Sequence, residues 1–239
     1  MKRTVVVPDL QVPYHDPIAV KNVAAYIKAV RPDSVVTLGD EIDLPQISRW
    51  QESTPGWYEQ TLAADRDEAV EVLWSLVEHS KEAHMIRSNH TDRLYNVIMK
   101  KIPAFLALPE LRFEKFLKLD ELGITYHKKP YAIARGIVAV HGDEQSVKPT
   151  PGLTALEAAR RHGISVICGH THRAGQSAFT EASGGRIGRI LRGWEAGHLM
   201  DVRQAHYTKG TMNWQQAFIV IEEVGTNVQV SIINLEKDG

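Results

Sequence analysis

The sequence predicts an α/β protein built as a four-layer α/β/β/α sandwich, in which two mixed sheets face each other between flanking helices. Two observations lead to this prediction. The first half of the 239-residue chain alternates short apolar runs with helical patterns, and the second half is rich in strand-like segments. We expect a single domain over residues 1–239, because no internal repeat, low-complexity tract or long linker divides the sequence.

The first half begins with a strand–helix–strand unit. Residues 3–8 (RTVVVP) and residues 34–38 (SVVTL) are short, apolar, β-branched runs that are typical of buried strands. Between them, Asp16 as N-cap and Pro17 at the first helical position predict a helix that ends near Arg31. Such a unit implies two parallel strands joined by a right-handed crossover.

Three further segments are predicted before the middle of the chain. The pattern over residues 59–80 is typical of a long amphipathic helix, and residues 83–86 form a third apolar strand. Residues 92–118 are predicted to be helical, although Pro103 and Pro109 must break the stretch into pieces. The basic side chains of this stretch could form a lid, a nucleic-acid contact or a solvated helix face: Lys100, Lys101, Arg112, Lys115 and Lys118.

The second half is richer in strands. Its predicted elements are a hairpin, a helix, a strand and a final strand pair, at residues 133–134 with 136–140, 154–162, 164–168, and 217–222 with 228–233. The glycine-rich residues 184–188 lack the spacing of a phosphate-binding loop, and we predict a turn between strands there.

Composition restricts the class of protein. Hydrophobic residues make up 43% and charged residues 24%, as in soluble globular proteins, and the net charge is −1. That charge does not favour non-specific nucleic-acid binding, which usually needs a strongly basic surface. The one cysteine, Cys168, cannot form an internal disulfide, and the apolar run at the N-terminus is too short for a signal peptide or a membrane span. We therefore expect a cytoplasmic protein without membrane association.

Side chains that bind metals follow five of the predicted strands. They are Asp9 with Gln11, Asp40 with Asp43, Asn89 with His90, His141, and His170 with His172. Open α/β sheets bind ligands outside the carboxyl ends of their strands, so we expect these groups on one rim. A histidine taken alone is usually a surface or core residue, whereas this recurrence at strand ends indicates a site.

The donor atoms in this set are oxygen and nitrogen, with no thiolate. This composition excludes a structural Cys-type zinc site and favours a catalytic site for Mn, Fe, Zn or Co. The set is too large for one metal with open positions, so it indicates two metals about 3.5–4 Å apart that share a carboxylate. Asp40 is the expected bridge because it lies in the middle of the set.

These motifs resemble the five ordered blocks of the calcineurin-like metallophosphoesterases. The blocks span residues 9 to 172 and read Asp9-x-Gln11, Gly39-Asp40-x-x-Asp43, Asn89-His90, His141-Gly142 and Gly169-His170-x-His172. Within that family the chain is similar to the short, single-domain members of phages and bacteria. Residues 213–218 (NWQQAF) are also similar to a run in phage-encoded members.

The resemblance implies a binuclear metal-dependent phosphoesterase, a hydrolase in which a metal-bridging hydroxide attacks a phosphodiester or monoester of a small or nucleotide substrate. It implies Asp40 as the bridging ligand and His90 as the catalytic histidine, oriented by Asp43. The remaining implied ligands are Asp9, Gln11 and His172 for the first metal, and Asn89, His141 and His170 for the second.

Two positions depart from the family pattern. Gln11 stands where histidine is usual, and its amide oxygen binds metals more weakly than imidazole and prefers harder ions. We therefore expect Mn²⁺, with Fe, Zn, Co or Ni as alternatives. Ser88 replaces the glycine that usually precedes Asn-His. Beyond the first block, His15 could either contact the substrate or pack at the start of a helix.

Two alternative functions stay open. One is a DNA or RNA nuclease of the same fold, for which Lys100 to Lys118 would contact the nucleic acid; the near-neutral charge favours a small substrate instead. The other is a metal-binding interaction module that has lost catalysis. Gln11 is the feature that favours this second alternative, and the otherwise intact ligand set argues against it.

Overall fold

In the computed structural model, which describes residues 1–48, 61–205 and 212–235, the strands form two facing sheets. The first sheet contains Lys2–Val7 (β1), Ser34–Thr37 (β2), Glu82–Ile86 (β3), Ile124–His127 (β4), Ala217–Val224 (β10) and Asn227–Asn234 (β11). Their order is β11-β10-β1-β2-β3-β4. Strands β1 to β4 pair in parallel, whereas β10 pairs antiparallel with both β1 and β11.

The second sheet is also mixed. It contains Tyr131–Ala134 (β5), Ile137–Val140 (β6), Ser165–Cys168 (β7), Ala174–Ser183 (β8) and Arg186–Ala196 (β9), in the order β5-β6-β7-β9-β8. Strand β7 pairs in parallel with β6 and β9 at the centre, and the two outer pairings are antiparallel.

The helices cover the outer faces of both sheets. They are Pro17–Val30 (α1), Leu62–Val77 (α2), Asn89–Lys101 (α3), Phe113–Phe116 (α4) and Leu153–His162 (α5). Short 3₁₀ turns occur at Pro45–Ile47, Pro103–Ala107, Pro109–Leu111 and Val202–Gln204. No helix within the described ranges is both long and apolar enough to cross a lipid bilayer.

The alternation of side chains along the strands produces the layers. In β1, Val5 and Val7 pack against the helices, whereas Val6 points into the core between the two sheets. In β7, Ile167 joins the core between the sheets, and Val166 packs on the opposite face with α5. The order of layers is therefore helices, first sheet, second sheet and helix, which confirms the predicted four-layer sandwich.

Most of the predicted elements lie where their sequence patterns indicate. Helix α1 begins as predicted, because the Asp16 carboxylate accepts hydrogen bonds from the backbone N–H groups of Ile18 and Ala19, at 2.8 and 3.3 Å. Helix α2 falls within the predicted 59–80, of which residues 59 and 60 lie outside the described residues. The predicted turn at residues 184–188 joins β8 to β9.

One boundary prediction is wrong. The helix predicted from residue 92 begins at Asn89, three residues earlier, because the Ser88 side chain accepts a hydrogen bond from the Thr91 backbone and Thr91 caps Ser88 in return. Residues Asn89 and His90 thus lie in the first turn of α3, beyond the strand end where they were expected. The reciprocal cap also explains how serine occupies a position where glycine is usual.

The stretch that follows α3 is broken at both prolines, as predicted. It carries more exposed apolar surface than its basic residues suggest, since Ile102, Phe105 and Leu108 are each about half exposed. Strand β4 was not predicted, because four residues at the edge of a sheet give too short a pattern to recognise.

Two histidines pack together at the edge between the sheets. His84 Nδ1 lies 3.2 Å from His127 Nε2, and the ring of Tyr131 lies 4.7 and 4.3 Å from the two imidazole rings, centre to centre. Burial lowers the pKa of both histidines, and His84 lowers the pKa of His127 further. Glu82, whose carboxylate lies 3.6 Å from His84 Nε2, opposes this shift only in part.

This pair predicts a loss of stability in mild acid. Because the folded-state pKa values lie below the ordinary 6.5, the unfolded chain takes up protons first as the pH falls. The contribution of the two neutral histidines to the free energy of unfolding is fully present above pH 6.5 and is lost progressively below it. We expect the free energy of unfolding, measured in urea, to fall between pH 6.5 and about 5, and to fall less steeply in His127→Gln.

The matched control is His162→Gln, at the exposed end of α5. It should keep the pH dependence of the wild type. Equal slopes for His127→Gln and the wild type would show that the His84–His127 pair does not contribute to acid sensitivity.

Candidate functional site

The two sheets place the predicted ligands at one rim. Asp9 and Asp40 follow β1 and β2 of the first sheet, and Asn89 follows β3 in the first turn of α3. His141 and His170 follow β6 and β7 of the second sheet. The cluster is therefore assembled from both sheets, with oxygen donors from the first and imidazoles from the second.

The backbone orients the ring of His141. Its Nδ1 lies 2.8 Å from the carbonyl oxygen of Leu38, which can only accept, so Nδ1 carries a hydrogen and Nε2 is the ring atom that faces the cluster. Nε2 lies 2.8 Å from Asn89 Oδ1, 3.2 Å from His170 Nδ1 and 3.4 Å from Asp40 Oδ1. Carboxylate, amide and imidazole donor atoms thus converge, an arrangement that a cation stabilises.

The pKa shifts show that this cluster favours positive charge at its centre. Burial alone would lower the pKa of His141, but the Asp40 carboxylate outweighs burial and raises that pKa to about 10. Burial alone would raise the pKa of Asp40, yet His141 and His90 hold it well below its usual range. Burial and the charge of His141 both lower the pKa of His170, which favours its neutral, metal-binding form.

Three of these residues could hold a metal ion together. The ligand atoms of Asp40, His141 and His170 all lie within 4.8 Å of one another. Asn89 Oδ1 completes this group from the side of α3. The donor set of two imidazoles, one carboxylate and one amide matches what divalent transition metals accept.

Asp40 also faces a second group of donors. Its Oδ2 lies 3.2 Å from Gln11 Nε2, whereas its Oδ1 faces His141. In this second group His172 Nε2 lies 3.1 Å from Asp9 Oδ2 and 3.4 Å from Gln11 Nε2. The carboxylate of Asp40 is therefore shared between the two groups.

The second group is less complete as a ligand set. Both carboxylate oxygens of Asp9 accept hydrogen bonds from the backbone N–H of His170, at 3.0 and 2.9 Å. The Gln11 amide lies at the position where the resembling family usually has histidine. Its nitrogen is oriented toward Asp40 and His172. Since amide oxygen and nitrogen are assigned from the surrounding hydrogen bonds, a bound cation would favour the opposite orientation of this group.

His90 lies beside the cluster with Asp43. Its Nε2 is 3.7 Å from Asp40 Oδ2, and its Nδ1 is 3.2 Å from Asp43 Oδ1, without the alignment of a hydrogen bond. The imidazole is almost buried. The structure thus brings together the two residues predicted to be catalytic, and their roles remain predictions.

Four of the predicted ligands have left-handed backbone conformations. The φ angles are 59° at Gln11, 56° at Asp40, 65° at His170 and 57° at His172. Such angles are uncommon outside glycine, and they cluster at functional sites where the surrounding fold enforces them. The backbone thus directs these side chains inward at a cost that the rest of the fold offsets.

His15, the tentative substrate contact, is buried. Its backbone forms an isolated antiparallel β-bridge with Met200, and its Nδ1 lies 3.9 Å from Glu68 Oε1. Burial lowers the pKa of its imidazole. This position fits the alternative in which His15 packs at the start of α1.

Glu195 supports the loop that carries two predicted ligands, and no motif reveals it in the sequence. Its side chain is 0% exposed and accepts hydrogen bonds from the Thr154 backbone and the Thr171 hydroxyl, both at 2.9 Å. It thereby joins α5 to the loop of His170 and His172. A buried carboxylate used in this way cannot be distinguished in sequence from an exposed one.

Glu41 performs a similar task beside Asp40. Its carboxylate accepts hydrogen bonds from the Thr37 hydroxyl at 2.5 Å and from the Gly39 backbone at 3.1 Å. Burial raises its pKa to about 7. Glu41 therefore fixes the turn that presents Asp40.

Arg93 is a third residue beside the site that has no signal in the sequence. Its guanidinium Nη2 lies 2.9 Å from His90 Nε2. The contact depends on the helix boundary, because only a helix that includes residue 90 places these two positions one turn apart on the same face.

Close packing at Gly169 predicts a test of Asp9. A Cβ at this position would lie 2.3 Å from Asp9 Oδ1, and the glycine has no left-handed conformation that a side chain would strain. We expect Gly169→Ala to displace the Asp9 carboxylate and to weaken Mn²⁺ binding at least about tenfold, or ~1.4 kcal/mol. Isothermal titration calorimetry measures this affinity.

Gly188→Ala on β9 is the matched control, since its Cβ would meet its nearest neighbour, the Glu181 carbonyl oxygen, at 3.4 Å. It should bind Mn²⁺ as the wild type does. If a folded Gly169→Ala protein also keeps wild-type affinity, Asp9 does not contribute to ion binding.

Several solved structures are similar over nearly the whole chain, at low sequence identity. Vps29 from Chaetomium thermophilum aligns with a TM-score of 0.49 and 11% identity, over 99% of this chain and 89% of its own. Vps29 from Entamoeba histolytica, complexed with Zn²⁺, aligns with a TM-score of 0.43 and 13% identity, over 98% and 99%.

Sequence relatives are more informative. No protein-family model matches the chain. The Gene 54 protein of Mycobacterium phage D29 is 33% identical over 240 residues, which cover 97% of this chain and 93% of the relative. The Gene 54 protein of Mycobacterium phage L5 matches with the same identity and coverage. With this identity along almost its entire length, the chain belongs to the family of the mycobacteriophage Gene 54 proteins.

Proposed function

We propose that the protein is a metal-dependent phosphoesterase of the calcineurin-like type, which hydrolyses phosphodiesters or monoesters of small or nucleotide substrates. One observation carries the proposal. Asp40, 2% exposed, turns Oδ1 toward His141 Nε2 at 3.4 Å and Oδ2 toward Gln11 Nε2 at 3.2 Å. A carboxylate shared in this way between two donor groups is what a pair of ions requires.

The residues fit two divalent ions of unequal binding strength. One ion would be held by Asn89, His141 and His170 and the other by Asp9, Gln11 and His172, with Asp40 common to both. When bound, the ions would polarise a phosphoryl oxygen and lower the pKa of a bound water. We favour Mn²⁺, because the two carboxylates of Asp9 and Asp40 and the two amides of Gln11 and Asn89 offer oxygen atoms, which suit a harder ion; Fe, Zn, Co or Ni are alternatives.

His90 is proposed to donate a proton to the leaving group. Its Nε2, 3.7 Å from Asp40 Oδ2, is the ring atom that faces the cluster, and a proton held there would neutralise the departing oxygen. Asp43, 3.2 Å from Nδ1, would stabilise the protonated ring. The first turn of α3, which carries His90, adds the partial positive charge of a helix N-terminus near the anionic substrate.

A nuclease of the same fold is the second candidate, and α3 is the observation that favours it. This helix begins at the site and ends at Lys101. Its 13 residues span about 20 Å, so its far end lies that distance from the site. There Lys100 and Lys101 are exposed, and Phe105, which is also exposed, follows in the next turn of the chain. A single strand of nucleic acid contacts basic and aromatic side chains of this kind.

Two variants separate metal binding from turnover. We expect His90→Ala to keep its metal and to lose about 10²–10⁴-fold in turnover of a chromogenic diester, as the removal of a general acid does. Asp40→Ala should lose both metal and activity. The measurements are metal content and hydrolysis of bis-p-nitrophenyl phosphate with Mn²⁺ on the same preparations.

His79→Ala, after α2, is the control for the loss of an imidazole elsewhere. Wild-type protein that binds Mn²⁺ but gives no turnover above the metal alone would support a metal-binding module in place of an enzyme. Comparison of a monoester, a cyclic nucleotide and single-stranded DNA then distinguishes the small-substrate enzyme from the nuclease.

Gln11→His tests the weaker donor group. Histidine tolerates the left-handed φ of 59° at this position better than most residues do. We expect the variant to bind one equivalent of metal more tightly and to shift its preference from Mn²⁺ toward Zn²⁺, as measured by calorimetry and by activity with each metal.

The control is Gln229→His, which adds an imidazole on the exposed face of β11. It should leave metal affinity and preference unchanged. Identical metal content and activity of Gln11→His and the wild type with Mn, Zn and Fe would exclude a role for position 11 in metal selection.

A further inference from the structure

Arg93 extends from α3 across the two residues that are proposed to serve the leaving group. Its Nη2 lies 2.9 Å from His90 Nε2, and its Nη1 donates to the backbone carbonyl oxygen of Asp43. The side chain is 19% exposed, so solvent reaches it. It is a fixed positive charge within one hydrogen bond of the ring atom that faces the cluster.

The charge of Arg93 is only weakly compensated. Its carboxylate contact within the described ranges is Asp43 Oδ1, at 3.7 Å. In contrast, Arg87 reaches both carboxylate oxygens of Asp143 at 2.8 and 2.7 Å, and Arg3 reaches Glu222 at 2.6 Å. The remaining Arg93 contacts are a neutral carbonyl and a ring nitrogen, which leaves most of the charge and several N–H groups available to an anion.

The contact with His90 also restricts what that histidine can do. Arginine only donates, so Nε2 must accept with its lone pair and the ring hydrogen must be on Nδ1, toward Asp43. While Arg93 holds Nε2, that atom cannot donate to a leaving oxygen. The proposed function therefore requires Arg93 to find another partner when substrate is bound.

We infer that this partner is a non-bridging phosphoryl oxygen: Arg93 leaves His90 Nε2 to bind the phosphoryl group of the substrate. The vacated Nε2 then takes up a proton from solvent and donates it to the leaving oxygen. The inference rests on the proposed function. The planar guanidinium matches the geometry of phosphoryl oxygens, and its charge is retained at any pH at which the protein is folded. Arg93 is thus a substrate-binding residue for an anionic phosphoryl group.

A purely structural role makes a different prediction. If Arg93 only clamps the loop of Asp43, its removal lowers stability and turnover but leaves the affinity for free orthophosphate unchanged. If it binds substrate, its removal weakens orthophosphate binding even in a well-folded protein, and a guanidinium ion supplied in solution restores part of the function.

The experiment uses Mn²⁺-loaded, full-length Arg93→Ala and Arg93→Lys, with folding checked by thermal melting. We expect Arg93→Ala to bind orthophosphate at least about tenfold more weakly by calorimetry and to lose about 10²–10³-fold in kcat/KM for p-nitrophenyl phosphate. Arg93→Lys should retain part of the phosphate affinity, since lysine keeps the positive charge but lacks the planar guanidinium that can donate two parallel hydrogen bonds. Arg66→Ala, a partly exposed arginine of α2 paired with Asp67, is the control and should resemble the wild type.

Guanidinium chloride at millimolar concentration should raise the activity of Arg93→Ala, whereas sodium chloride at equal ionic strength should not. Orthophosphate affinity equal to that of the wild type in Arg93→Ala overturns the inference, and so does a wild-type protein that binds no orthophosphate. If the wild type binds orthophosphate but hydrolyses no ester, the proposed function fails, and the affinity of Arg93→Ala still decides whether Arg93 binds the phosphoryl group.

Discussion

Asp40 keeps its charge at a position that is 2% exposed, and a carboxylate so placed costs several kcal/mol unless partners surround it. The rim supplies those partners from several directions. His141 is aimed at Asp40 by the Leu38 carbonyl oxygen, and the Asp40 backbone is held by the turn that Glu41 fixes. The close packing of the two sheets brings these groups within reach, so the site depends on the core between them.

Much of this arrangement follows from the sequence for a simple reason. Parallel strands with apolar, β-branched runs are recognisable, and residues that follow them are forced to one edge. This reasoning predicted the convergence of Asp9, Asp40, His141 and His170, and the strong cap at Asp16 gave α1 its start. It also indicated that the donor group of Gln11 would bind metal more weakly than the other, and this stays a prediction.

Other features depend on contacts between residues distant in sequence. The start of α3 depends on mutual hydrogen bonds of Ser88 and Thr91, a cap without the acidic third residue that usually marks it. Because that boundary was misplaced, the proximity of Arg93 to His90 could not be seen. The role of Glu195 is recognisable only when α5 and the loop that contains Thr171 are packed around it. The edge strand β4 is defined by its pairing with β3 more than by its own sequence pattern.

The origin of the donor groups in both sheets has a consequence for folding. The ion proposed for the Asp40, His141 and His170 group would take an oxygen from the first sheet and two imidazoles from the second. An unfolded chain cannot assemble that set, so the free energy of ion binding adds to the free energy of folding. A bound ion would then act as a reversible crosslink between the sheets. In a cell short of divalent ions, the protein would be easier to unfold.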